Sequence, residues 1–484
     1  METPRYLMAP QWIEWRREDG GWRFYPMRLQ VKRETLMLHM GLWSRGREVS
    51  ERNLEAAESS GSTAEIAACR YNLAGFLSRF GDRRGAMELY RLAREEFRRL
   101  GDGLKEALAE RNMGNIHKQE GRGDQAVECY RRSLDYFRRN GRDLEMSETL
   151  SNLANVHADR KEFRQAWSLY REAIELARSR SHLRSLANAL YNAASIQVEQ
   201  RDLAGAMASY GEALEIHRRI GDLSRIAYDL GSIGEIQMLS GRLNEALDHF
   251  KEVERISLEV NDQYSVAYAH EYIGRTLHGL GRFEEALGRF QLQLGLSEAI
   301  QDKEREARAN GWLGIASAAL GRTGAAADHL ARAIADSETL GLDFLACEWH
   351  YHLAWLPPAA AGDVRGHNRR AAELAARLKR RDMAFLCRVQ AAVIDFLEAG
   401  EEESREGAVD ALRAMMEEKN DKPGKARLYY ECWRLLAEMG RDDDSRVMGR
   451  KAARLYQDLA EETEAAEWRA RLEELGRAGV IKPE

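Results

Sequence analysis

Proline is almost missing from this chain. Seven occur in 484 residues, at positions 4, 10, 26, 357, 358, 423 and 483, which leaves residues 27 to 356 without any. Proline removes a backbone donor and clashes with the preceding turn of a helix, so a span of this length without it points to consecutive helices. Cysteine is scarce too. Cys69, Cys129, Cys347, Cys387 and Cys432 are odd in number, far apart and never in a Cys-x-x-Cys, which argues against a disulfide framework or a zinc site and for free thiols in a reducing compartment. No apolar run reaches 18 residues, and the opening "METPRYLMAPQWIEWRRED" lacks the apolar stretch of a signal peptide, so the expectation is a soluble, cytoplasmic protein without a membrane partner. A dominant sign of charge is lacking as well. Lys plus Arg number 73 against 79 Asp plus Glu, a net charge of -6, which provides no global field for nucleic acid.

What the chain does have is a period of 40 residues. Ala86, Ala126, Ala166, Ala206, Ala246, Ala286 and Ala326 fall in one column, and four residues on stand Tyr90, Tyr130, Tyr170, Tyr210, Phe250, Phe290 and Leu330. Thirteen residues before each Ala comes an apolar residue, from Leu73 to Leu313, always followed by Ala or Gly. Apolar spacing of i, i+3, i+4 and i+7 predicts a helix over 66–79 and another over 84–99 in the first unit, with Gly81, Gly121, Gly241, Gly281 and Gly321 ending the first helix of their units. One such hairpin cannot bury its own apolar face, so neighbours must stack to supply the core.

These columns resemble the tetratricopeptide repeat, whose signature includes Leu-Gly on the first helix and Ala-x-x-x-Phe on the second. The resemblance implies an all-α, right-handed superhelical solenoid of antiparallel helix pairs. The expected organisation is a Trp-rich segment with capping helices over 1–63, seven repeats over 64–343, and degenerate helical pairs with a cap over 344–484. Departures exist. The aromatic three residues after the small one is replaced by Leu77, His117, His157, Gln197, Gln237, Leu277 and Ser317, and the closing Pro is absent. The long period is similar to that of kinesin light chains, spindle-orientation adaptors and Rap-type peptide-binding regulators, which implies a non-enzymatic scaffold that binds a peptide or extended segment in a concave groove. The alternative is a ligand-responsive sensor whose superhelix changes conformation on binding.

In that family the first helices line the groove, and on the first of them residues 68, 72, 75 and 79 share the face opposite 73, 76, 77 and 80. The equivalent positions carry Asn72, Asn112, Asn152 and Asn192, with Asn115 and Asn155 beside them. A column of amides pairs donors and acceptors with an extended backbone, each bond contributing about 0.5–1.5 kcal/mol. The same amides could instead only tie neighbouring helices together. Further along stand Tyr228, Tyr268, Tyr272 and Trp312 as aromatic anchors, and at the other end Arg79, Arg111 and Lys118 provide positive charge.

The first 50 residues hold nine basic and six acidic groups, too even a balance for an electrostatic groove around Trp12, Trp15 and Trp22. That segment is read as a cover for the first hairpin, or as an internal ligand for the groove. Exposed terminal hairpins leave self-association open. His117 and His157 occupy a core column, and His350 and His352 point to different faces, so neither pair reads as a metal site. No phosphate loop or nucleophile elbow appears, and no cofactor is expected.

Overall fold

The computed structural model describes residues 15–18, 21–24 and 43–480. The first two stretches are antiparallel strands, Trp15–Glu18 and Gly21–Phe24, with Trp15 opposite Phe24 and Glu18 opposite Gly21. Reading 1–63 as a Trp-rich segment with helices overlooked this hairpin, although Asp19-Gly20 between the strands is the sequence mark of a two-residue turn. Trp12 and the side chains of Trp15 and Trp22 lie outside the described residues, and so does the expected docking of this segment.

From Trp43 onward every described element is a helix. After Trp43–Ser60, the seven repeats run from Thr63–Arg79 with Arg83–Arg99 to Lys303–Ala319 with Thr323–Thr339; successive helices pack on one another from Trp43–Ser60 to Leu183–Glu199 and again from Leu223–Leu239 to Thr323–Thr339. The chain packs as two compact units, residues 1–216 and 217–484.

The columns explain the packing. All seven column alanines, Ala86 to Ala326, are fully buried, and the aromatic or Leu four residues later is at most 4 % exposed. The small residue on the facing helix is what admits that ring: a Cβ on Gly114 would lie 2.8 Å from Tyr130, and one on Gly274 would lie 2.5 Å from Phe290. Each ring also reaches the next repeat. Tyr130 shares a core with Leu150 and Leu153 in unit 1, and Phe290 with Leu313 and Ala316 in unit 2. Phe80, expected in the core, is 43 % exposed because it stands at the end of its helix, where the chain turns away.

The turns require a left-handed residue. Gly81, Gly121 and Gly241 take φ of 83°, 73° and 73°, and where the glycine is missing Lys161 and Arg201 are held in the same region at 61° and 63°. Packing of the flanking helices imposes a conformation that these side chains disfavour.

Beyond the repeats, Pro357 and Pro358 stop the helix Asp343–Leu353 early, and a short turn, Pro358–Ala361, leads into Val364–Arg377. The remaining helices are Arg381–Glu398, Glu402–Glu418, Lys422–Glu438, Asp442–Glu462 and Ala466–Arg477. Their end folds back on unit 2. The amide of Glu464 donates to the Gly241 carbonyl at 3.0 Å, and its carboxylate accepts from the Asn244 amide at 2.6 Å. Helix Leu243–Glu259 has no side-chain cap of its own, so Glu464 caps it from 220 residues away. Hydrogen bonds from that helix start hold the Glu464 carboxyl below its ordinary value.

Unit 2 also buries one acid–imidazole pair. His217 Nδ1 lies 2.6 Å from Asp229 Oδ2, with the two side chains 1 % and 0 % exposed. Burial pushes the Asp229 carboxyl up, and the hydrogen bond from His217 opposes that shift.

Two outcomes are expected. Arg201→Gly should raise the stability of unit 1 by up to about 1 kcal/mol, because the left-handed penalty of about 1–2 kcal/mol exceeds the entropy cost of glycine; urea unfolding measures it. Glu464→Ala should cost about 0.5–2 kcal/mol of local stability, read as lost hydrogen-exchange protection at the Asn244 amide. The folded Glu464 titrates below the unfolded glutamate value of about 4.3, so this stabilisation is complete above that value and lost as pH falls through the lower folded one. Wild-type protection at Asn244 should therefore approach that of the variant on acidification, and equal protection at neutral pH would refute the cap.

Candidate functional site

The amide column lies on the first helices of repeats 2 to 4, in unit 1, and is wired to the tyrosines behind it. Tyr130 Oη donates to Asn115 Oδ1 at 2.7 Å, and Tyr170 Oη bonds in the same way to Asn155. In repeat 4 the equivalent position is Ser195, whose hydroxyl lies 2.9 Å from Tyr210 Oη. Repeat 1 has Gly75 there, and its Tyr90 instead takes a hydrogen bond from Asn112 Nδ2 at 3.3 Å, which Tyr71 shares at 3.0 Å. Asn152 Nδ2 reaches back to Asn115 Oδ1 at 3.1 Å. Asn112, Asn115, Asn152 and Asn155 thus each join neighbouring helices through one part of the amide.

The other part stays open. Among the described residues no Asn nitrogen or oxygen is buried without a partner, so the amide atoms that bond nothing in the chain face solvent. Asn192 bonds no other described residue and lines, with Asn155, Ser195 and Tyr170, a shallow cavity of about 260 Å³. A second cavity of about 510 Å³, lined by Lys118, Arg122, Asp159 and Arg160, lies one repeat earlier. Asn72 differs from the rest of its column. It is 6 % exposed and sits in the packed start of the array, off the open face.

The expected positive end is neutralised. Arg111 pairs with Glu148 at 2.7 Å and Lys118 approaches Asp159 at 3.6 Å, while Arg79 is exposed. Pairs of this kind contribute little stability and lower the net positive charge at that end of the array.

The aromatic residues all lie in unit 2. Tyr228 is 50 % exposed, while Tyr268 donates to Glu235 at 2.5 Å. Tyr268 and Tyr272 lie 4.4 Å apart, and Trp312 stacks on Phe290 at 5.8 Å and meets Trp349 edge-on at 6.0 Å. The Arg275 guanidinium sits between Tyr272 and Trp312, 4.6 and 5.0 Å from the rings. Tyr272 and Trp312 are therefore built into a ladder of rings, half-buried, and Tyr228 alone of the four projects freely. Deeper in the same face, enclosure by protein pushes the His352 imidazole down to about 4 and raises the Glu348 carboxyl.

The histidines set aside in the sequence find other partners. His157 Nδ1 lies 2.5 Å from Glu162, a carboxylate the sequence reading did not see, and His350 Nδ1 lies 2.8 Å from His367 Nδ1. Among the described residues no three metal-ligating side chains converge, and no helix is long and apolar enough to cross a membrane. Sequence reasoning missed the tyrosine hydroxyls that hold the amides and the role of Ser195. The signal was present as a constant spacing of 15 residues between positions 115 and 130, 155 and 170, and 195 and 210.

Residues 105–179 match the family model described as tetratricopeptide repeat, and residues 227–278 match that of anaphase-promoting complex subunit 5. The apo form of RapI is similar in fold, with a TM-score of 0.56 at 13 % identity over 73 % of this chain and 98 % of RapI. The apo form of the quorum sensor NprR from B. thuringiensis gives a TM-score of 0.50 at 13 % identity, covering 72 % of this chain and 98 % of NprR. No curated protein sequence matches the chain. The fold is that of an array of tetratricopeptide repeats.

Asn115 and Asn192 should separate in a stability measurement. Asn115→Ala leaves the buried Tyr130 hydroxyl without its acceptor and should cost about 1–3 kcal/mol in urea unfolding, whereas Asn192→Ala should stay within about 0.5 kcal/mol of wild type.

Proposed function

We propose that this chain is a non-enzymatic interaction scaffold that holds an extended peptide segment against the amide face of repeats 2 to 4. The observation that carries this reading is the half-used amide. Asn115 and Asn155 have their carbonyls engaged by Tyr130 and Tyr170, which fixes each amide plane and leaves its NH₂, not buried, as a donor at a one-repeat interval. Preorganised donors bind a peptide backbone without first losing side-chain entropy. Because they meet main-chain carbonyls, they select for extended conformation rather than for particular side chains. The ion-paired rim, Arg111 with Glu148 and Lys161 with Glu199, then discriminates by local charge.

A second reading, a sensor that changes shape on binding, draws support from the Glu464 cap. The paired hydrogen bonds of Glu464 to Gly241 and Asn244 form an element whose making or breaking would change unit 2.

Selection of random displayed peptides on the full chain, followed by affinity measurement by fluorescence anisotropy, tests the binding reading. Selected peptides should bind Asn192→Ala, which keeps the fold, about tenfold more weakly, the equivalent of about 1.4 kcal/mol. Equal affinities for wild type and for an Asn155→Ala, Asn192→Ala double variant would reject the amide face as the site.

A further inference from the structure

We propose that a cavity among the C-terminal helices of unit 2 binds an apolar group that ends in a carboxylate. The cavity measures about 590 Å³, within the range of about 300–1,000 Å³ typical of small-ligand sites. It arises from the two prolines. The first helices of the repeats run 17 residues, but Asp343–Leu353 runs 11, so about 9 Å of helix is missing at 1.5 Å per residue. The chain that replaces those turns, from Ala354 to Pro358, forms one wall.

The body of the cavity is apolar. Leu356, Val393 and Ile394 are buried on its walls, and Leu397, 57 % exposed, lies on it as well. Its charged side chains are two arginines, Arg434 and Arg471, and two glutamates, Glu398 and Glu431. Trp355 lines it, with its ring edge-on to Tyr351 at 6.2 Å. Arg434 and Arg471 line it with side chains 32 % and 37 % exposed. Arg434 contacts Glu431 at 3.1 Å, and Arg471 contacts Tyr430 Oη at 2.7 Å and Glu474 at 3.4 Å, which leaves further N–H groups on both guanidinium forks. The carboxylates on the wall are countered by arginine, Glu398 by Arg365 at 2.6 Å and Glu431 by Arg434. The unused guanidinium N–H groups favour an occupant with acceptors at one end and hydrocarbon at the other. A carboxylate meets an arginine fork in the geometry it binds best.

A free aliphatic acid and the apolar C-terminus of a peptide share this chemistry. Calorimetric titration of the full chain with decanoate and decanol, and with trileucine and its C-terminal amide, distinguishes them. Saturable binding of decanoate or of trileucine is expected, at least about tenfold tighter than its uncharged counterpart. Arg434→Gln should abolish that preference, and Leu397→Trp, a substitution at an exposed position, should block binding without changing the thermal melt. Decanoate alone binding would identify a free acid, and trileucine alone a peptide C-terminus. No saturable binding of any probe, equal binding of acid and uncharged counterpart, or binding indifferent to both substitutions would overturn the proposal. The cavity is built wholly from residues 354–471, so neither result bears on the amide face of unit 1.

Discussion

Everything in the array depends on one close approach, the ring of a second helix seated on a small residue of the first. Gly234 against Phe250, Gly274 against Phe290 and Gly314 against Leu330 leave no room for a Cβ without displacement, and the alanine four residues before each ring is fully buried. That contact sets the distance between the helices of a pair. The ring then extends into the next repeat and joins the pairs into continuous cores. Long-range order thus arises from a local contact repeated seven times.

The same ring carries the polar chemistry of unit 1. Where it is tyrosine, its hydroxyl leaves the core and must find a partner, and the partner is an amide or a serine on the first helix. In unit 2 the column changes to Phe250, Phe290 and Leu330, no hydroxyl needs an acceptor, and the facing positions become Tyr272, tilted against Phe250, and Trp312, stacked on Phe290. The amide face and the aromatic ladder are two consequences of one substitution in one column.

Departures from the repeat mark the places where the chain does something else. His217 and Asp229 replace apolar or small residues of their columns and form a buried pair, a costly arrangement that holds only while both partners are present. The two prolines shorten a helix and open a cavity, and a glutamate near the end of the chain supplies a helix cap that the local sequence lacks.

The helix pairs, their boundaries within a few residues, the buried Ala and aromatic columns and the glycine turns were all legible in the sequence, because each is set by contacts within about 40 residues and recurs at a fixed interval. The left-handed conformation of Lys161 and Arg201 was not, since neither residue favours it and only the packing of the flanking helices enforces it. Nor could the sequence divide the amide column into the buried Asn72, the tied Asn115 and the open Asn192, because all three are the same residue type, or nearly the same position, on similar helices. What separates them is burial for Asn72 and the Tyr130 hydroxyl for Asn115. Contacts such as Glu464 with Asn244 and the enclosure around Trp355 join positions with no periodic relation, and only the folding of the C-terminal helices back on unit 2 decides them.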